Sequence, residues 1–173
     1  FMCSLWLNKK HQLEVLTESF DEKKGFDNMN KIDIVTIKLE KVGNALTKNK
    51  EINSPKDAFP ILKNYLAGAD REHLVLITLN PANGINSIST ISIGSLNECI
   101  AHPREIFKTA ILTNAAKILL AHNHTAGKVT PSNADINITK RVNEASKIMG
   151  IELIDHIIIG DNNYTSLKEK GIL

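Results

Sequence analysis

Past the first thirty residues, runs of alternating or continuously apolar positions take turns with runs of helical period. Residues 32–39 alternate apolar and polar side chains, as a strand buried on one face does. Ser54 followed by Pro55 makes an N-cap and first-turn pair, and Gly68 can end the helix they open. Residues 72–79 read as a core strand, and Pro81-Ala82-Asn83-Gly84 as a turn whose Asn-Gly favours a hairpin with residues 85–93. Pro103 opens a helix running to residue 113, with Ile106, Ala110 and Leu112 inward. Residues 117–121 form a buried strand. The longest helix covers residues 132–149, with Ile138, Val142, Ala145 and Met149 on one stripe and Gly150 at its end. A strand over 151–159 and a short one over 164–167 follow. This order predicts a mixed, curved sheet flanked by helices, in the α/β to α+β range. Ahead of it, residues 8–20 predict a short helix with Leu13, Leu16 and Phe20 at helical spacing, and the polar residues 21–30 a linker. The expected division is therefore 1–30 and 31–173.

The strand over 117–121 runs straight into His122-Asn123-His124, and Ser132-Asn133-Ala134-Asp135 follows shortly after. Residues two apart on an extended chain point to one side, so both imidazoles face a common point. Each half of the pattern also has a plain structural reading: two strand histidines can be polar surface, and Ser-x-x-Asp is a capping box at the start of a helix. Gly127 and Pro131 between them permit a compact loop that returns the helix start to the strand end. Two imidazoles and a carboxylate then make a three-ligand zinc site with a fourth position open to water, the form that catalytic zinc takes. That chemistry points to hydrolysis by a zinc-activated water.

The run His122-Asn123-His124-Thr125-Ala126-Gly127-Lys128-Val129-Thr130-Pro131-Ser132-Asn133-Ala134-Asp135 resembles the metal motif of the JAB/MPN metallopeptidases in its bacterial RadC-like form. His102-Pro103-Arg104-Glu105-Ile106-Phe107, Asn114-Ala115-Ala116 and Asp155-His156-Ile157-Ile158-Ile159-Gly160 look like RadC segments too, and the resemblance covers residues 54–173. It implies the MPN/JAB (cytidine-deaminase-like) fold. It also implies His122, His124 and Asp135 as ligands of Zn2+, Ser132 as a group that positions or stabilises the oxyanion, and an upstream glutamate as general acid and base. Glu72 is the best match for that glutamate, with Glu98 and Glu105 as alternatives; Glu105 has a plain dipole reason to sit in a helix's first turn. The activity implied is that of a zinc-dependent peptidase or isopeptidase acting on a peptide or protein. The chain departs from the family pattern at Thr125, Ala126, Lys128 and Val129, where the loop loses its prolines and gains a positive charge. His156, beside Asp155 in a buried strand, reads as structural or as support for a ligand.

Composition narrows the alternatives. A net charge of +2 over 173 residues creates no strong field for nucleic acid, so direct DNA binding, historically attached to RadC-like proteins, stands as the alternative rather than the main reading. A metal-stabilised scaffold without turnover is a third. Cys3 and Cys99 are too few for a disulfide framework, and a reducing, cytoplasmic setting is expected. The apolar start at residues 1–7 is too short to span a membrane, so no membrane partner is expected. A chain that opens at Phe1 fits a piece of a longer one, and no helix-hairpin-helix segment is read before the zinc domain.

Overall fold

The computed structural model describes residues 30, 32–48, 50–94 and 102–173. The expected N-terminal helix and nearly all of the linker fall outside them. The chain divides into two units, residues 1–37 and 38–173.

In the first unit the described residues carry no helix or strand. The strand expected over 32–39 is therefore not formed: Ile32 is 88% exposed and Val35 80%, and Leu39 across the unit boundary is exposed as well. Alternation reports a capacity to pair, and a strand needs a second strand to supply the ladder. Among the described residues none pairs with this stretch.

The second unit has three helices and five strands among the described residues. In chain order they are α1 (Pro55–Tyr65), β1 (His73–Leu79), β2 (Ile85–Ile93), α2 (Pro103–Leu112), β3 (Lys117–Asn123), α3 (Asn133–Met149), β4 (Glu152–Ile159) and β5 (Tyr164–Ser166). Their bounds follow local chemistry. Asp57 Oδ2 accepts from both the backbone N–H and the hydroxyl of Ser54, each at 2.9 Å, which closes the start of α1. Asn83 takes φ +63° in the turn before β2, the left-handed conformation that Asn tolerates. His102 caps α2 by accepting from Arg104 N at 3.1 Å.

The strands lie in the order β2-β1-β3-β4-β5. β1 is antiparallel to β2 and β3, β3 is parallel to β4 through the α3 crossover, and β5 returns antiparallel to β4. One face of the sheet packs Val75, Ile77, Leu119, Ala121 and Ile157 against Ala58, Ile61 and Leu62 of α1. The other packs Leu74, Leu76, Ile118 and Leu120 against Ile106, Phe107 and Ala110 of α2 and Ile138 and Val142 of α3. The sheet is thus covered on both sides, and the alternation of β3 sends Ile118, Leu120 and then His122 toward α2 and α3. No helix of the described residues is long and apolar enough to cross a membrane.

Two expected core positions move. Met149 is 43% exposed at the overhanging end of α3, and Ser146 is buried in its place. The buried side of α3 also holds Asp135 and Thr139, so its inner face is more polar than a hydrophobic stripe predicts. In α2, Phe107 is buried and Leu112 only half-buried.

Candidate metal centre

His122 is the sixth residue of β3 and fully buried. The chain stays extended past the strand end, where His124 N donates to Ile159 O at 3.2 Å, so the second imidazole lands on the same side as the first. A tight turn follows: Gly127 N donates to His124 O at 2.9 Å, with Gly127 at φ +70°. That turn hands the chain back to Ser132, the N-cap of α3. Ser132 and Asp135 form the expected capping box. The backbone N–H of Ser132 reaches Asp135 Oδ2 at 2.7 Å, and the Ser132 hydroxyl donates to the same oxygen at 2.8 Å. Oδ2 is therefore held by the cap and lies 3.4 Å from His124 Nε2, while Oδ1 is turned toward His122. The capping and ligand readings coexist in one side chain.

His122, His124 and Asp135 form the group among the described residues that could hold a metal ion, with one ligand atom from each all within 4.8 Å of one another. The Nε2 atoms of the two histidines are 2.9 Å apart, and His122 Nε2 lies 3.1 Å from Asp135 Oδ1. Which of these atoms carry hydrogen follows from their neighbours. Thr139 Oγ1 donates its one hydrogen to the Asp135 carbonyl at 2.5 Å, so at 2.6 Å it accepts from His156 Nδ1. His156 Nε2 is then bare and accepts from His122 Nδ1 at 2.9 Å, which leaves His122 Nε2 bare. His124 Nδ1 lies 2.6 Å from the Lys128 carbonyl, which can only accept, so His124 Nε2 is bare as well. Asp135 Oδ1 is buried with no hydrogen-bond partner, and the 3.1 Å approach of His122 Nε2 carries no hydrogen.

Three lone pairs thus converge in a largely dry site. Such an arrangement needs a positive charge among them, a proton or a metal ion. Two neutral imidazoles and a carboxylate, each imidazole oriented through its other nitrogen, are a donor set that fits a divalent ion. Burial pushes the Asp135 carboxyl up, but when the shared positive charge is a proton on His122, that imidazolium and the Ser132 bonds outweigh it and hold the group well below the ordinary carboxylate range. Burial drives His156 well below its usual pKa, and a positive charge at His122 adds to the effect. His156 is therefore neutral near pH 7 and able to accept from its neighbour.

His124 and Asp135 line a cleft of about 720 Å³ whose walls also include Glu72, Arg71, Gly94, Lys128 and Ser132, with His122 buried behind them. Glu72 immediately precedes β1 and is half-buried. β1 and β3 pair Leu74 with His122, which sets Glu72 opposite His124 by continuation of the register. Glu105 is not among the cleft residues; its carboxylate sits on exposed α2, 2.6 Å from Lys108 Nζ, and that contact lowers its pKa. Glu98 lies outside the described residues.

Two parts of the site escape a reading by motif. The Lys128 contribution to His124 is a backbone carbonyl, which has no residue signature. Thr139 stands one helical turn after Asp135, a spacing that could have suggested it. His156, expected as structural or as support for a ligand, bonds His122, and its facing depends on a bulge: Ile118 and Leu119 pair with Leu153 and Asp155, so Ile154 is an extra residue in β4 and the alternation flips. Leu153 and His156 thereby share the face toward α3, where an unbroken strand would separate them. Replacing His156 with leucine should leave His122 Nδ1–H without its acceptor and weaken metal binding by about 10–100-fold, as read by chelator competition on the folded variant.

Residues 52–172 match the family model described as RadC-like JAB domain. The chain is 47% identical over 165 residues to a UPF0758 protein of Clostridium acetobutylicum, covering 92% of this chain and 72% of that protein. It is 49% identical over 122 residues to a UPF0758 protein of Desulfitobacterium hafniense, covering 70% of this chain and 54% of the relative. A third, from Clostridium beijerinckii, is 39% identical over 180 residues, 99% of this chain and 79% of that one. The chain thus spans about half the length of some of the relatives it matches and most of others.

Proposed function

The chain belongs to the RadC-like JAB family, and from that membership and the geometry of its site we propose that it is a zinc-dependent peptidase or isopeptidase. One observation carries the reading: three bare ligand atoms converge behind a cleft that His124, Asp135 and Glu72 line. Two histidines and a carboxylate would hold the ion, and a zinc ion so held lowers the pKa of a bound water from ~15.7 to ~7.

The rest of the chemistry falls to the chain. Glu72 takes a proton from the attacking water and returns it to the departing amine. Ser132 holds Asp135 in the resting arrangement, and its hydroxyl, turned off Oδ2, can donate to the oxygen that gains charge at the scissile carbonyl. The amide class of substrate comes from the family likeness.

The test incubates zinc-loaded, chelator-treated and zinc-restored protein with a peptide library and with isopeptide-linked lysine conjugates, read by mass spectrometry. Cleavage by the loaded and restored forms alone is expected. A protein carrying about one zinc that cuts no amide in either set would sink the peptidase reading.

Lys128 sets a preference within that class. Its backbone oxygen orients His124, and the residue itself lines the cleft. Lys128→Glu should reduce kcat/KM for substrates with an acidic residue beside the scissile bond by about 10-fold and leave zinc content unchanged. A fall in zinc content would instead assign the side chain a structural part.

A further inference from the structure

We propose that Asn123, the residue between the two histidine ligands, is a positioning residue that fixes Glu72 over the metal centre. The inference rests on the assignment of Glu72 as the proton-transfer group.

The β1–β3 ladder has its last pair at Leu74 and His122. Beyond it the Asn123 side chain takes over from the backbone. Its Oδ1 accepts from His73 N–H at 2.8 Å, and its Nδ2 donates to Arg71 O at 2.9 Å. One amide therefore grips the chain on both sides of Glu72. From the opposite direction Gly94 N, at the end of β2, donates to Glu72 O at 2.9 Å. The backbone of Glu72 is held from both neighbouring strands, at a place where regular pairing has stopped.

The chemistry of the grip is specific. It needs an acceptor and a donor in one rigid plane, which a primary amide supplies. Alanine supplies neither, serine is too short to span both partners, and a carboxylate would set a second acceptor against the Arg71 carbonyl. Because its chain neighbours are the two imidazoles, Asn123 ties the position of Glu72 to the position of the ligands. A drift of β1 along β3 that pulled the carboxylate off the site would break both bonds.

The test needs no substrate. With cobalt(II) in place of zinc, the visible spectrum is titrated with pH in the parent and in Glu72→Gln, Asn123→Ala and Asn123→Ala/Glu72→Gln. Asn123→Ser serves if the alanine variant does not fold. A carboxylate nearby disfavours a second negative charge, so removing it should lower the midpoint by about one pH unit. Asn123→Ala should lower the midpoint toward that of Glu72→Gln with cobalt affinity unchanged, and the double variant should go no lower than Glu72→Gln alone. The His73 amide should also exchange with solvent about 10-fold faster once its acceptor is gone. If Glu72→Gln lowers the midpoint and the Asn123 variants keep the parent value, the proposal is overturned and the Glu72 assignment stands. A shift from Asn123→Ala that persists in full on top of Glu72→Gln also overturns it, because the residue would then act through the ligands. A midpoint that Glu72→Gln does not move removes the Glu72 assignment, and the proposal falls with it.

Discussion

Asp135→Ala is expected to abolish stoichiometric metal binding while the protein stays folded. Asp135 supplies the one negative charge among the three ligand atoms, and its carboxylate is buried, so no water-exposed substitute can take its place. Losing a ligand should exceed the roughly 10–100-fold effect of losing a group that only orients one. The substitution also removes the acid of the α3 capping box, which costs about 1 kcal/mol. For a domain of this size that is about 2–4 °C in Tm, too little to explain an empty site by unfolding. His122→Ala separates the two effects, since it leaves the cap intact and should lose metal as well. Elemental analysis of both purified variants decides the matter: full zinc in each would remove the ligand assignment.

Glu72→Gln should do the reverse, keeping the metal and losing the reaction. Glutamine preserves size and polarity and cannot take up the proton. General acid–base catalysis is worth about 10²–10⁴-fold, and kcat should fall by that much with zinc content unchanged. Glu105→Gln is the matched control, because its carboxylate is engaged with Lys108 on the outer side of α2. Loss of turnover in the Glu105 variant, with turnover kept in the Glu72 variant, would transfer the role to Glu105.

How far the chain can be read in advance differs between its parts for physical reasons. The grouping of the three candidate residues is legible because all of them fall in one run, His122 to Asp135, so only a strand, a turn and a helix start have to be right. Each of those has a strong local signal: an apolar run, a glycine that takes φ +70°, and a capping box. The β1–β2 hairpin is legible for the same reason, its Asn83-Gly84 turn being encoded on the spot. The failures are all non-local. Residues 32–39 carry the right alternation, but a strand depends on a partner elsewhere in the chain. Met149 lies on the right stripe of α3, yet the helix gives its inner face to Asp135, Thr139 and Ser146. For His156, which the sequence reads as structural or as support for a ligand, the choice between the two stays open there because its facing is set by the bulge at Ile154, a mismatch between two strands that leaves no mark on either one.

The convergence of three bare lone pairs also separates the fate of the site from the fate of the fold. Neither hydrophobic cluster includes any of the three ligands, and both faces of the sheet are filled without them. An unoccupied site holds repelling atoms in a buried place, so an apolar residue of similar size there relieves repulsion and costs the core little. Descendants of such a chain can therefore give up the metal by one or two substitutions and keep the same architecture. In this fold, retention of the two histidines reports selection for what the site does more directly than retention of Asp135, which also closes the α3 capping box.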